Sequence, residues 1–173
     1  MRPFAPEFEG EMTFETLPDD FVDRLRQRVE TGLLSPGIRT RADYRVASSD
    51  RDAIHFEAHG FLTAYNVGLN DVTVKRSGRS QLHYHVTYWR WTWCAVGNGL
   101  LPAVALALAS ACFPAVRPAF TNAPGGLISV LEILGFFVLV WPWMLTALHR
   151  RFAEQALQRV LRETLAKGSA RAA

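Results

Sequence analysis

Hydrophobic residues come in short, regularly spaced sets through the first half of this chain and in two long runs through the second. The long runs, Trp91–Phe113 and Gly126–Leu148, are each a little over twenty residues. At about 1.5 Å of rise per residue, either makes roughly 30–35 Å of helix, enough to cross a hydrocarbon core of about 30 Å. The pattern predicts a transmembrane hairpin over 91–148, with an outer loop at 114–125.

The first half changes period twice. Phe8, Gly10, Met12 and Phe14 alternate with polar residues and predict a strand over Glu7–Phe14. Phe21, Leu25, Val29 and Leu33 recur at helical spacing, with Pro18 in the first turn and Thr16 and Asp19 as a capping pair, before Ser35-Pro36-Gly37 ends the helix. Ala42, Tyr44 and Val46 return to a period of two, and Ser48-Ser49-Asp50 predicts a turn. Ile54, Phe56, Ala58, Leu62 and Ala64 predict one face of a longer strand, bulged or bent at Gly60. A turn at Val67–Asp71, a strand holding Val72 and Val74, a hairpin turn at Arg76-Ser77-Gly78-Arg79 and a strand through Leu82, Tyr84, Val86 and Tyr88 complete the half.

The predicted order is β-α-β-β-β-β, an α+β domain over 1–90. The alternation shows one apolar sheet face, which a single helix covers most economically. In topology this is similar to a cystatin-like α+β sheet, and a shared fold carries no function. After Leu148, Phe152, Ala156, Leu157, Val160, Leu161 and Leu165 form an apolar stripe, so 149–173 reads as an amphipathic helix followed by a frayed tail at Gly168–Ala173. That stripe can lie on the membrane, pack on the domain or pair with another copy.

Charge sets the orientation. Lys75, Arg76, Arg79 and Arg90 precede the first run, and Arg150, Arg151, Arg159, Arg162 and Lys167 follow the second, whereas the connection carries only Arg117. The positive-inside rule then places both flanks in the cytoplasm, with Trp89, Trp91, Trp93, Trp141 and Trp143 at the inner interface. Residues 1–10 lack a basic segment followed by an apolar one, so no cleaved export signal is expected. The net charge of +3 in 173 residues is concentrated beside the membrane and reads as lipid contact by Arg90, Arg150 and Arg151, with no nucleic-acid partner. Cys94 and Cys112 are separated by roughly 27 Å along one span and cannot bridge each other. The Ala- and Arg-rich composition points to a bacterial inner-membrane protein from a GC-rich genome.

Three features carry candidate chemistry. His55, Glu57 and His59 project from one strand face, and His83 and His85 from another, which is a zinc-type ligand set. A strand between the two pairs leaves about 10 Å to close, so a solvent-facing polar surface is the simpler expectation. The same imidazoles could act as a pH sensor. Glu132 lies about 9 Å inside the second span, where a carboxylate costs a few kcal/mol unless partnered; Ser110 is level with it. Asn98 is expected to bond across toward Trp141–Trp143, and Ala95, Gly99, Ala103, Ala107, Ala111 and Ala115 form a small-residue row for helix packing. Pro102 and Pro142 are expected to bend the spans.

No phosphate loop, nucleophile elbow, dinucleotide fingerprint or His-Glu-x-x-His pattern occurs. The expectation is a non-enzymatic binding or assembly protein, without a cofactor, whose cytoplasmic domain engages a protein partner or small ligand. Its hairpin would contact lipid and a second copy or another membrane protein. Two alternatives stand beside it. One is a metal-dependent membrane enzyme using zinc on His55, His59, His83 and His85, with Glu57 as base. The other is an accessory subunit of a lipid-handling or transport complex, with Glu132 facing its partner.

Overall fold

The computed structural model describes residues 6–34, 44–60, 68–116, 118, 122 and 126–166. The expectations placed on Ser35-Pro36-Gly37, Ala42, Leu62, Ala64, Val67, Arg117, Lys167 and the Gly168–Ala173 tail lie outside these residues, as does most of the outer loop. The chain forms two compact units: the segment through Trp91 together with the chain from His149 onward, and Thr92–Leu148.

The first unit is α+β, built on a five-stranded antiparallel sheet. Its strands are β1 (Glu7–Thr13), β2 (Tyr44–Ser49), β3 (Ala53–Ala58), β4 (Asp71–Arg76) and β5 (Gln81–Thr87). The spatial order is β1-β5-β4-β3-β2, so the first strand closes against the last and the others form a meander. Alternation dictates the two faces. Phe8, Met12, Tyr44, Ile54, Phe56, Ala58, Val72, Val74, Leu82, Tyr84 and Val86 are all buried on one side. Two helices share that side: α1 (Phe21–Gly32), through Phe21, Val22, Leu25 and Val29, and the C-terminal helix, through Ala153, Leu157, Val160, Leu161 and Leu165. Arg28 of α1 reaches Glu163 of the C-terminal helix at 3.3 Å. Leu157, Val160, Leu161 and Leu165 of the stripe after Leu148 therefore belong to the core of this domain, whereas Phe152 at its start is exposed and Ala156 half-buried.

Local chemistry moves several boundaries. Helix α1 begins at Phe21 with Asp20 as its N-cap residue, and no side chain caps it. The Thr16–Asp19 pair cannot do so because the chain before the helix is committed elsewhere: Phe14 and Leu17 donate backbone hydrogen bonds to Ser80 and Arg79 at the β4–β5 turn. Arg76 fastens the same corner, donating to the Pro18 carbonyl at 2.7 Å and lying 4.8 Å over the Phe21 ring. Strand β2 continues through Ser49, with a register shift between Val46 and Ser48, and the turn falls at Asp50, whose N–H bonds Ala53. Gly60 lies in a bend beyond the end of β3.

The second unit contains most of the apolar hairpin. Helix α2 (Trp89–Cys112) begins two residues before the predicted span. The next helical segment comprises α3 (Gly126–Gly135), a π-helical turn (Phe136–Val140) and α4 (Trp141–Ala166), which is the C-terminal helix named above. Two helices, Trp89–Cys112 and Ile128–Leu165, are long and apolar enough to cross a membrane. Their surfaces agree, since Trp93, Leu101, Leu108, Ile128, Leu131 and Leu139 all stand exposed. Pro142 explains the π turn: it lacks the N–H that an α-helix needs there, and the widened turn bonds the Trp141 N–H to the Phe136 carbonyl.

Within the hairpin, the two helical segments approach closely at Gly99. A Cβ at this position would collide with the Phe137 carbonyl and sit 2.9 Å from the Pro142 ring. Ala95 and Gly99 are buried, Ala103 is half-buried, and Ala107 and Ala111 are exposed, so only the first half of the small-residue row packs within the chain. A four-residue repeat drifts about 40° per step on a helix of 3.6 residues per turn, and four steps carry Ala111 well off the packed face. Asn98 is exposed beside buried Gly99.

Candidate functional site

The polar face of the sheet gathers most of the ionisable side chains singled out by sequence. Register places His55 opposite Thr73, and Thr73 opposite His85, so β4 separates His55 from His85 by two strand spacings, roughly 10 Å. Glu57 is paired with Arg45 at 2.6 Å, and His59 lies past the end of β3. The set His55, His59, His83, His85 and Glu57 is therefore not brought together. Among the described residues, no three His, Cys, Asp or Glu side chains stand grouped around one metal-sized position.

A different neighbourhood forms around His83 and His85. Strand β1 pairs with β5 so that Glu9 faces His85 and Glu11 faces His83. Diagonally, His85 Nε2 lies 3.6 Å from Glu7 and His83 Nε2 lies 4.0 Å from Glu9. Sequence reasoning found the two histidines and missed these glutamates. Glu7, Glu9 and Glu11 are legible as the polar half of the β1 alternation, but their neighbour is a strand some seventy residues away.

On the opposite, buried face, Tyr84 forms an interior polar contact. Its hydroxyl donates to Glu154 at 3.0 Å and accepts from Gln158 at 3.0 Å, which ties β5 to α4. Burial, reinforced by Glu154, pushes the phenol above its ordinary pKa, against the hydrogen bond from Gln158 and the positive charge of Arg150. Gly10 is what makes room, because a Cβ there would run into the Tyr84 hydroxyl. Tyr44 and Tyr88 are raised in the same direction by burial. An open cleft of about 440 Å³ lies beside this contact, lined by Glu11, Met12, Thr13, Phe14, Gln158 and Arg162.

A third polar cluster surrounds the start of α2. Buried Asn70 accepts the Arg90 backbone N–H at 2.8 Å, serving as a cap delivered from the loop before β4. Arg90 also donates to the Ala58 carbonyl at 3.3 Å and lies 5.4 Å over the Trp89 ring. Gly68, at φ +73°, packs where a Cβ would strike the His149 ring, and that ring stacks on Trp91 with centroids 4.2 Å apart. Trp91 thus joins the domain core, whereas Trp89, Trp93 and Trp143 are exposed and Trp141 contacts Phe136 and Phe137. Arg150 lies 5.9 Å over Phe8, and Arg151 is exposed. In the hairpin, Glu132 is exposed and Ser110 is half-buried.

Comparison with protein-family models, curated proteins and solved structures finds no match to this chain.

Proposed function

We propose that this is a two-pass protein of a bacterial inner membrane, with both termini in the cytoplasm, that holds a non-enzymatic docking domain at the membrane surface. The observation that carries this reading is the dual use of one helical segment. Ile128–Leu165 contains a membrane-length apolar stretch, and its last turns supply Leu157 and Leu161 to the domain core. An independently tethered domain has no need to bury part of its anchor. The β-α-β-β-β-β order supports a cystatin-like reading of that domain, with α4 added beside α1.

Both helices cover the apolar face, so the uncovered face, centred on exposed Thr73, is the surface for a protein partner. The hairpin contacts lipid, and the exposed end of its small-residue row, Ala107 and Ala111, suits a second copy. The enzymatic alternative has lost its geometric support, because His55, His59 and Glu57 stand apart from His83 and His85. The accessory-subunit alternative keeps one observation in its favour. Glu132 is exposed on an apolar helix, where an unpartnered carboxylate costs about 2.5–3.5 kcal/mol at mid-membrane and less toward the interface.

Photocrosslinking in intact cells from a reactive side chain at Thr73 tests the docking reading. A discrete adduct that disappears when Lys75 and Glu57 are reversed in charge supports it. A folded, membrane-associated protein that gives no adduct from this position overturns it.

A further inference from the structure

We infer that the free edge of β1 is a docking site for an extended peptide segment of a partner protein, one that alternates Lys or Arg with apolar residues and adds antiparallel to the sheet. The sheet order ends at β1, which among the described residues pairs with β5 alone. The ladder fixes which backbone groups are left over. The Phe14 N–H bonds the Ser80 carbonyl and the Tyr88 N–H bonds the Pro6 carbonyl, so the even-numbered residues of β1 are the ones that bond β5. Antiparallel alternation then turns the N–H and C=O of Glu7, Glu9, Glu11 and Thr13 to the open edge. All four residues are exposed. They follow one another at about 6.8 Å, the two-residue repeat with which an incoming strand presents its own backbone groups.

Side chains choose the occupant. On the outward side, an added strand lays alternate residues beside Glu7, Glu9 and Glu11. A second copy pairing through the same edge would set these glutamates against one another, and like charges directly opposite are destabilising. Lys or Arg at those positions turns each repulsion into an attraction. On the inner side, the added strand meets the cleft of about 440 Å³ that Met12 and Phe14 form with Gln158 and Arg162 of α4. An apolar side chain fits there, against the Phe14 ring and the hydrocarbon stem of Arg162. Thr73 lies two strands in from this edge, so the inference goes beyond the docking surface proposed above and either can fail alone.

The test is fluorescence anisotropy of a labelled short peptide alternating lysine and valine, titrated with the full chain in detergent. A glutamate–valine peptide and a lysine–valine peptide N-methylated at its lysine amides, the ones that face β1, serve as comparisons. Saturable binding of the lysine peptide at one per chain is expected, with slowed hydrogen exchange in the β1 segment. The glutamate and N-methylated peptides should bind about tenfold more weakly. Glu9→Lys combined with Glu11→Lys should reverse the preference between the lysine and glutamate peptides, a result that loss of fold cannot produce. No saturable binding, equal affinity for either comparison peptide, an unreversed preference, or protection of β1 by dimerisation of the chain without peptide each overturns the inference.

Discussion

Truncating Leu157 separates the two places where the stripe after the second span could be spent. Its side chain is 0 % exposed, within the core formed by α1, α4 and the sheet, whereas Phe152, an equally apolar residue of the same helix, is 59 % exposed. Leu157→Ala removes buried hydrocarbon and leaves a cavity, a change that costs about 2–5 kcal/mol. Phe152→Ala touches no core and should stay within about 0.5 kcal/mol. A membrane-lying stripe would instead have Phe152 immersed at least as deeply as Leu157, and both truncations would leave the sheet untouched.

Hydrogen exchange of the β4 and β5 amides, read by mass spectrometry on the full chain in detergent, reports the difference. A loss of about 3 kcal/mol raises exchange through global opening roughly 150-fold, since each 1.36 kcal/mol is a factor of ten. The expected outcome is strong deprotection in Leu157→Ala and little change in Phe152→Ala. Equal protection of the sheet in the two variants would refute the placement of α4 in the core.

Other perturbations probe the remaining contacts. Gly10→Ala should destabilise the domain by about 1–3 kcal/mol, despite the better strand propensity of Ala, because the new methyl group displaces the Tyr84 hydroxyl from Glu154 and Gln158; an unchanged thermal midpoint would remove that explanation. Gly99→Val should separate the two spans while Ala107→Val, at an exposed position, is tolerated, as measured by cysteine crosslinking between the helices; equal crosslinking in both variants would count against the close approach. Tyr44, Tyr84 and Tyr88 all have pKa values raised by burial above the unfolded value of about 10. Their contribution is therefore complete below about pH 10 and declines above it by up to about 1.4 kcal/mol per pH unit for each group. The urea midpoint should be level from pH 7 to 9 and fall beyond 10. Tyr44→Phe, which also removes a buried hydroxyl without a partner among the described residues, should soften that fall, and an unaltered alkaline slope would contradict it.

What was legible in this sequence follows the range of the interactions involved. The α+β class, the face of each strand and the two membrane-length helices rest on local periodicity, and every buried strand residue named from alternation, from Phe8 to Val86, lies on the inner side. The start of α1 was displaced by a long-range commitment. Phe14 and Leu17 bond to the β4–β5 turn, which no local capping pattern encodes. The candidate site failed for a related reason. Same-strand spacing put His55 with Glu57 and His83 with His85, but only the closure of β1 onto β5 decides that the histidines of β5 have glutamates as neighbours. Gly10 shows how such a pairing can leave a trace that is read only afterwards. A glycine interrupting the apolar set of β1 looks like a weak point in a strand, yet it stands opposite Tyr84 because the phenol must pass over it to reach Glu154 and Gln158. The same logic makes Gly68 and Gly99 informative, since each marks the place where another group, the His149 ring or the Phe137 carbonyl, comes too close for a side chain. Substitution at these three glycines therefore tests the tertiary arrangement directly.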